Sequence, residues 1–214
     1  MKRDCVFFVA DKTMRETFLG FLSREDRDEQ LGCGAFTFDP AEDLFFAAGQ
    51  NDCGLNKRAD ALLSAFLHSH QKVVVALDCE WDGSPGQVAI IQNISTQLLG
   101  SGWAADDVIV IAIEPELEQW IWQDSPVLAD ELRMDAPQGL KAALSARGLW
   151  PQDAAKPPSP KELFIQLRRE NNVKLSSSVF KRIAANVPVA ACQDSEFRRL
   201  VNQLQLWFPA EVAA

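Results

Sequence analysis

The residues best suited to chemistry stand where an apolar run stops on alternating acids, Val73-Val74-Val75-Ala76-Leu77-Asp78-Cys79-Glu80. In extended chain, residues two apart point to one side, so Asp78 and Glu80 present paired carboxylates. Such a pair supplies hard oxygen donors of the kind that take Mg²⁺ or Mn²⁺. An ion held there would polarise a phosphodiester and activate water. The competing reading is that the two acids only start a loop and cap the next helix. Two further acids follow apolar runs: Asp11 after residues 5–10 and Glu114 after residues 107–113. Asp78 and Glu80 are therefore the candidate catalytic residues, and Asp11, Asp78, Glu80 and Glu114 the candidate metal ligands. Asp11 also fits a helix N-cap. Pro115 fits a first helical position, which would leave Glu114 at a strand–helix junction.

These acids need a frame. A Val/Leu run as continuous as 72–78 or 107–113 implies a strand buried on both faces, as in parallel sheets. Open α/β sheets bind ligands just outside the carboxyl ends of such strands. Residues 5–10 predict a first strand and residues 34–39 a second. Leu44-Phe45-Phe46 predicts a small added strand inside a turn-rich loop over 39–54. Apolar residues at helical spacing predict helices through Met14, Phe18, Phe21 and Leu22, and through Leu55, Ala59, Leu63 and Phe66. A third helix is predicted with Val88, Ile91, Ser95, Leu98 and Leu99 on its inner face. His68 and His70 fall at the end of the second helix, where imidazoles suit the macrodipole. After Asp124 the strand signals stop, and helices punctuated by Pro151, Pro157, Pro158 and Pro160 follow. The expected fold is α/β, a central, mostly parallel sheet of four or five strands flanked by helices in a Rossmann-like arrangement. Residues 1–124 form the α/β domain and 125–214 a helical C-terminal region.

Composition narrows the function. Thirty acidic against 21 basic residues give a net charge of −9, which argues against gripping nucleic acid by a bulk positive field. Local basic residues are still present late in the chain. Arg168, Arg169, Lys181 and Arg182 are candidates for holding a nucleic-acid backbone, against the default of a solvated helix face. Trp120 and Trp122 are two apart and cannot share one helical face. One is expected in the core and the other exposed, at a partner contact or under a stacked base, against the default that both pack in the core. The five cysteines contain no Cys-x-x-Cys, and Cys33, Cys53, His68 and His70 match no compact zinc spacing. No Gly-Lys-Ser/Thr supports a nucleotide P-loop. No secretory leader and no membrane-spanning run is evident, so a soluble protein of the reducing cytoplasm, without a membrane partner, is expected.

Several spans together carry a resemblance. They are Val9-Ala10-Asp11-Lys12 with Met14, Leu77-Asp78-x-Glu80, and Ile113-Glu114-Pro115-Glu116 with Trp120-x-Trp122. Near the end come Lys156-Pro157, Pro160-Lys161-Glu162, Cys192-x-Asp194 with Phe197, and Trp207-Phe208-Pro209. Over nearly its full length the chain resembles a bacterial family from antiphage defence islands, the fourth component of methylation-associated defence systems. The resemblance implies phage defence beside a DNA methyltransferase. The strand-edge acids also resemble a Toprim-type domain, which places a Glu after its first strand and an Asp-x-Asp after a later one, around Mg²⁺. Asp78-x-Glu80 matches the second motif loosely, and Ala10 stands where the first expects Glu, with Asp11 one residue later. The leading expectation is a defence component that cuts nucleic acid through a Toprim-like Mg²⁺ or Mn²⁺ site. The alternative is a catalytically silent adaptor that docks other defence-system proteins; a third is a sensor of a nucleotide or phage product.

Overall fold

Three apolar runs become strands because each can be buried on both faces, and a shorter, half-exposed one joins at the edge. β1 (Arg3–Val9), β2 (Leu44–Phe46), β3 (His70–Asp78) and β4 (Val108–Ile113) form one all-parallel sheet in the order β2-β1-β3-β4. The computed structural model describes residues 1–174, 176–189 and 192–210. Along β1 and β3 the chain leaves β1 first toward one edge and then toward the other. The carboxyl ends of these two strands therefore flank a topological switch point, where an open α/β sheet has its ligand crevice.

Helices cover both faces. On one face, α1 (Lys12–Leu22) packs Met14, Phe18, Phe21 and Leu22 against Phe7, Val9, Val74 and Ile111. After α2 (Arg27–Leu31) and α3 (Pro40–Asp43), the other face receives α4 (Asp52–Leu63) and α5 (Gln87–Gly100). There Leu55, Leu63, Ile90, Ile94 and Leu98 meet Val6, Val73, Val75 and Leu77. Short helices α6 (Glu118–Ile121), α7 (Pro126–Glu131) and α8 (Leu140–Ala146) lead to three longer ones. These are α9 (Pro160–Glu170), α10 (Ser177–Asn186) and α11 (Ser195–Trp207).

The helical C-terminal part shares its core with the sheet. Phe164, Phe180, Ile183, Phe197, Leu200 and Leu204 belong to the same buried cluster as α1 and β4. α1 and α10 approach so closely that a Cβ at Gly20 would lie 2.4 Å from the Lys181 carbonyl oxygen. β4 is an edge strand, and α11 covers its exposed backbone. Ala112 N donates to Glu196 Oε2 at 3.2 Å, and the Arg199 guanidinium donates to the Val110 carbonyl. Among the described residues no helix is long and apolar enough to cross a membrane.

Several expectations are corrected. Residues 34–39 form no strand. Gly34 N donates instead to Phe208 O at 2.7 Å, and Phe36 stacks on Phe208 with ring centroids 4.7 Å apart. The C-terminal tail takes the pairing that a strand would have needed, and Leu44–Phe46 forms the sheet edge. His70 does not cap a helix, because the helix ends at Leu63 and a 3-10 turn follows. It opens β3, buried, with Nε2 3.2 Å from both the Glu42 carbonyl and Asp43 Oδ1. Asp43 is wholly buried and also accepts from Arg3, at 2.6 Å for Nη2. In α5 the inner face is Ile90, Ile94 and Leu98, while Val88 and Leu99 are exposed. The expected phase was shifted because this apolar helix has aliphatic residues on more than one side.

Because both parts share one core, unfolding should be a single transition. Leu200→Ala should cost about 2–5 kcal/mol. Tryptophan fluorescence and far-UV circular dichroism in a urea titration should move together; two separated midpoints would contradict the shared core.

Candidate functional site

The cleft lies at the carboxyl edge of the sheet, where each strand delivers an acid. Asp11 follows β1, Asp52 opens the helix after β2, Asp78 ends β3, and Glu116 and Glu118 follow β4. A cleft of about 240 Å³ is lined by Asp11, Asp78, Glu116, Glu118 and Lys161, with Thr13 and an apolar wall that includes Ile165.

Backbone contacts hold the acids in place. Asp11 caps α1, its Oδ1 accepting from Met14 N at 2.8 Å. Asp78 Oδ1 accepts from Leu117 N at 2.9 Å, which ties β3 to the segment after β4. Asp78 N donates in turn to Asp52 Oδ1 at 2.8 Å, so Asp52 lies directly beneath it. Glu116 is buried. Lys161 Nζ pairs with Glu116 Oε2 at 2.5 Å.

The electrostatics are those of crowded, poorly hydrated carboxylates. Burial, followed by Asp52, Glu118 and Asp11, holds Asp78 well above the usual carboxylate range. Burial also raises Asp52, against the hydrogen bond from Asp78 N. Glu118 is pushed up to about 7, by burial first, with Glu116 and Asp11 adding to it and Lys161 opposing. Glu116 is raised by burial and by contact with Glu80, against the pull of Lys161. A carboxyl that titrates near neutrality beside a second raised carboxyl in a cleft is what proton transfer or cation uptake requires.

Of the expected site residues, the structure brings Asp11 and Asp78 together at the cleft. Glu80 is exposed at its rim, against Glu116. Glu114 is exposed and is not part of the lining. Register pairs Asp78 with Ile113, so Glu114 falls beside Cys79, on the alternate side of the pleat. Pro115 is not a first helical residue either; α6 begins at Glu118. Trp120 and Trp122 are both buried, which corrects the expectation of an exposed partner contact. α6 ends at Ile121, and Trp122 is extended, so the helical-face argument does not reach it. Trp120 Nε1 donates to Asp194 Oδ1 and Trp122 Nε1 to Pro160 O, each at 2.9 Å.

The expected nucleic-acid contacts also divide. Arg168 is turned inward on α9. Arg182 is engaged by both oxygens of Glu131 at 2.6 and 2.7 Å. Arg169 and Lys181 are exposed. Sequence reasoning missed Asp52, Glu116, Glu118 and Lys161 as site residues. Once Leu44–Phe46 is seen as a strand, Asp52 stands at a strand exit like the others. Alternation through Glu114-Pro115-Glu116-Leu117-Glu118 was a signal for the two glutamates. Among the described residues, no group of three His, Cys, Asp or Glu side chains forms a ready-made metal cage.

A raised carboxyl pKa gives stability that is present below its unfolded value and lost as pH rises through its folded one. For Glu118 that window runs from about 4.5 to about 7. Glu118→Gln should therefore raise the urea midpoint at pH 8 and change it little at pH 4, with a gain of ~2 kcal/mol at the higher pH. Equal effects at the two pH values would show that Glu118 is not held high.

No family model matches the sequence, and no curated protein and no solved structure matches it either, so the functional reading rests on the residues of this cleft.

Proposed function

We propose that the cleft hydrolyses phosphodiesters with the help of a divalent cation, and that the chain is a nucleic-acid-cutting component of a bacterial antiphage defence system. The supporting observation is the convergence of Asp11, Asp78, Glu116 and Glu118, together with Lys161, on one cleft at the switch point of the sheet. Membership in phage defence is supported by the sequence resemblance alone.

The donor chemistry fits Mg²⁺ or Mn²⁺. The available ligands are carboxylate oxygens, and four acids line the cleft against the single ammonium of Lys161. Asp11 and Asp78 would hold the ion, which when bound would polarise the phosphodiester and make water more acidic. Asp52 keeps Asp78 in place through the Asp78 backbone N–H. The Glu118 carboxylate takes a proton from the attacking water, a task suited to a group that titrates near 7. Ile165, Phe164 and Phe180 form an apolar wall beside the acids. Exposed Arg169 and Lys181 are the remaining candidates for backbone contacts. The adaptor alternative loses one of its expected anchors with the burial of Trp120 and Trp122 and keeps the C-terminal helices.

Purified protein should cleave at least one of single-stranded DNA, duplex DNA, RNA or tRNA when Mn²⁺ or Mg²⁺ is supplied, and EDTA should stop it. Asp78→Asn should abolish cleavage, and Glu118→Gln should slow it ~100-fold or more. The rate should rise with pH through about 7 in the wild type, and that step should be absent in Glu118→Gln. A wild-type protein inert toward all four substrates, or an Asp78→Asn protein as active as wild type, would overturn the hydrolytic reading.

A further inference from the structure

Lys161 is the one basic residue among those lining the cleft. It comes from the first turn of α9, far in sequence from the acids it faces. The start of that helix is firmly placed. Pro160 O accepts from Trp122 Nε1, the Trp122 ring meets Trp150 edge-on with centroids 5.7 Å apart, and Lys156 Nζ donates to Trp122 O. The backbone at Lys161 is thus anchored to buried rings while its side chain remains 46% exposed.

A phosphate entering this cleft meets carboxylates on most sides, and the net charge of −9 offers no bulk attraction. Arg168 is turned inward and Arg182 is occupied by Glu131. Among the residues that line the cleft, Lys161 is therefore the cation that faces the acids. Its partner Glu116 also lies against Glu80, and the half-exposed ammonium stays open to a second oxygen partner.

We propose that Lys161 receives a phosphate group of the ligand, and that Glu116 is a positioning residue that holds the ammonium at the cleft until the phosphate replaces it. This rests on the reading of the cleft as a phosphodiester site and adds to it that the helical C-terminal part supplies the anion contact. A Lys ammonium is a compact charge on a flexible stem, suited to moving between two oxygen partners.

The test uses the full chain and fluorescein-labelled oligothymidylate, followed by fluorescence anisotropy with Ca²⁺ in place of Mg²⁺. Unlabelled inorganic phosphate is added as competitor, to distinguish a phosphate within nucleic acid from the free ion. Lys161→Met keeps the length of the side chain and removes the charge. It should weaken the oligonucleotide about tenfold or more, while Mn²⁺ uptake, read by electron paramagnetic resonance, is at least as tight as in the wild type. Glu116→Gln should tighten the oligonucleotide by releasing the ammonium. A wild type that binds neither probe, or a Lys161→Met protein that binds as the wild type does, would overturn the proposal. So would a Glu116→Gln protein weakened as much as Lys161→Met. The two readings separate cleanly. Loss of binding in Lys161→Met without any Mn²⁺ uptake or cleavage would leave the phosphate contact standing and remove the hydrolytic reading. Metal-dependent cleavage with unaltered binding in Lys161→Met would do the reverse.

Discussion

The constraint on which the carboxyl edge of this protein depends is the placement of Asp78. It ends a strand whose Val73 to Leu77 are fully buried, so its carboxyl is drawn out of water, with Asp52, Asp11 and Glu118 close by. Like charges in a medium of low polarity repel strongly. Only three responses are open: protonation, a cation from the protein, or a cation from solution. Lys161 supplies the second in part, through Glu116. Burial first, with neighbouring acids adding to it, raises Asp78, Asp52 and Glu118, so protonation supplies part of the first. A fold rarely keeps such a cluster for stability, because uncharged residues there would serve better.

The rest of the molecule holds that cluster together. Two apolar layers grip the sheet, one through α1 and the C-terminal helices, the other through α4 and α5. The side chains that build the cleft come from both ends of the chain. Asp11 sits at the start of α1, whose body packs on α10 with Gly20 at the closest approach. Trp120 lies between Phe18 and Phe197, with ring centroids 5.8 and 5.1 Å away, and its indole N–H is bound by Asp194, the N-cap of α11. These contacts fix the segment after β4, and with it Glu116 and Glu118. The rings that looked like docking residues are the packing that aims the carboxylates.

The sheet was legible because its central strands are continuous apolar runs, and such a pattern has few other uses than a strand buried on both faces. The acids at strand ends were legible for the same reason: a carboxylate that closes a buried run has few places to go. The edge strand was legible too, but only beside a false rival. Leu44–Phe46 is three residues long, and the preceding 34–39 carried an equally good β pattern. What decided between them was the tail, with Phe208 occupying Gly34 and Phe36. The phase of α5 and the burial of both tryptophans were hidden for a related reason: local spacing does not say which side of an apolar segment faces a layer supplied by distant residues.

The sequence alone therefore determined an α/β sheet of parallel strands, a helical C-terminal part, and acids at strand exits, since these follow from local periodicity and residue type. Tertiary structure decided which acids meet. Strand order places Asp52 beneath Asp78, register turns Glu114 away beside Cys79, and packing of α9 brings Lys161 to Glu116. Those outcomes depend on contacts between residues tens of positions apart, and the free energy of such contacts is written in the packing of the whole core and not in any one stretch of chain.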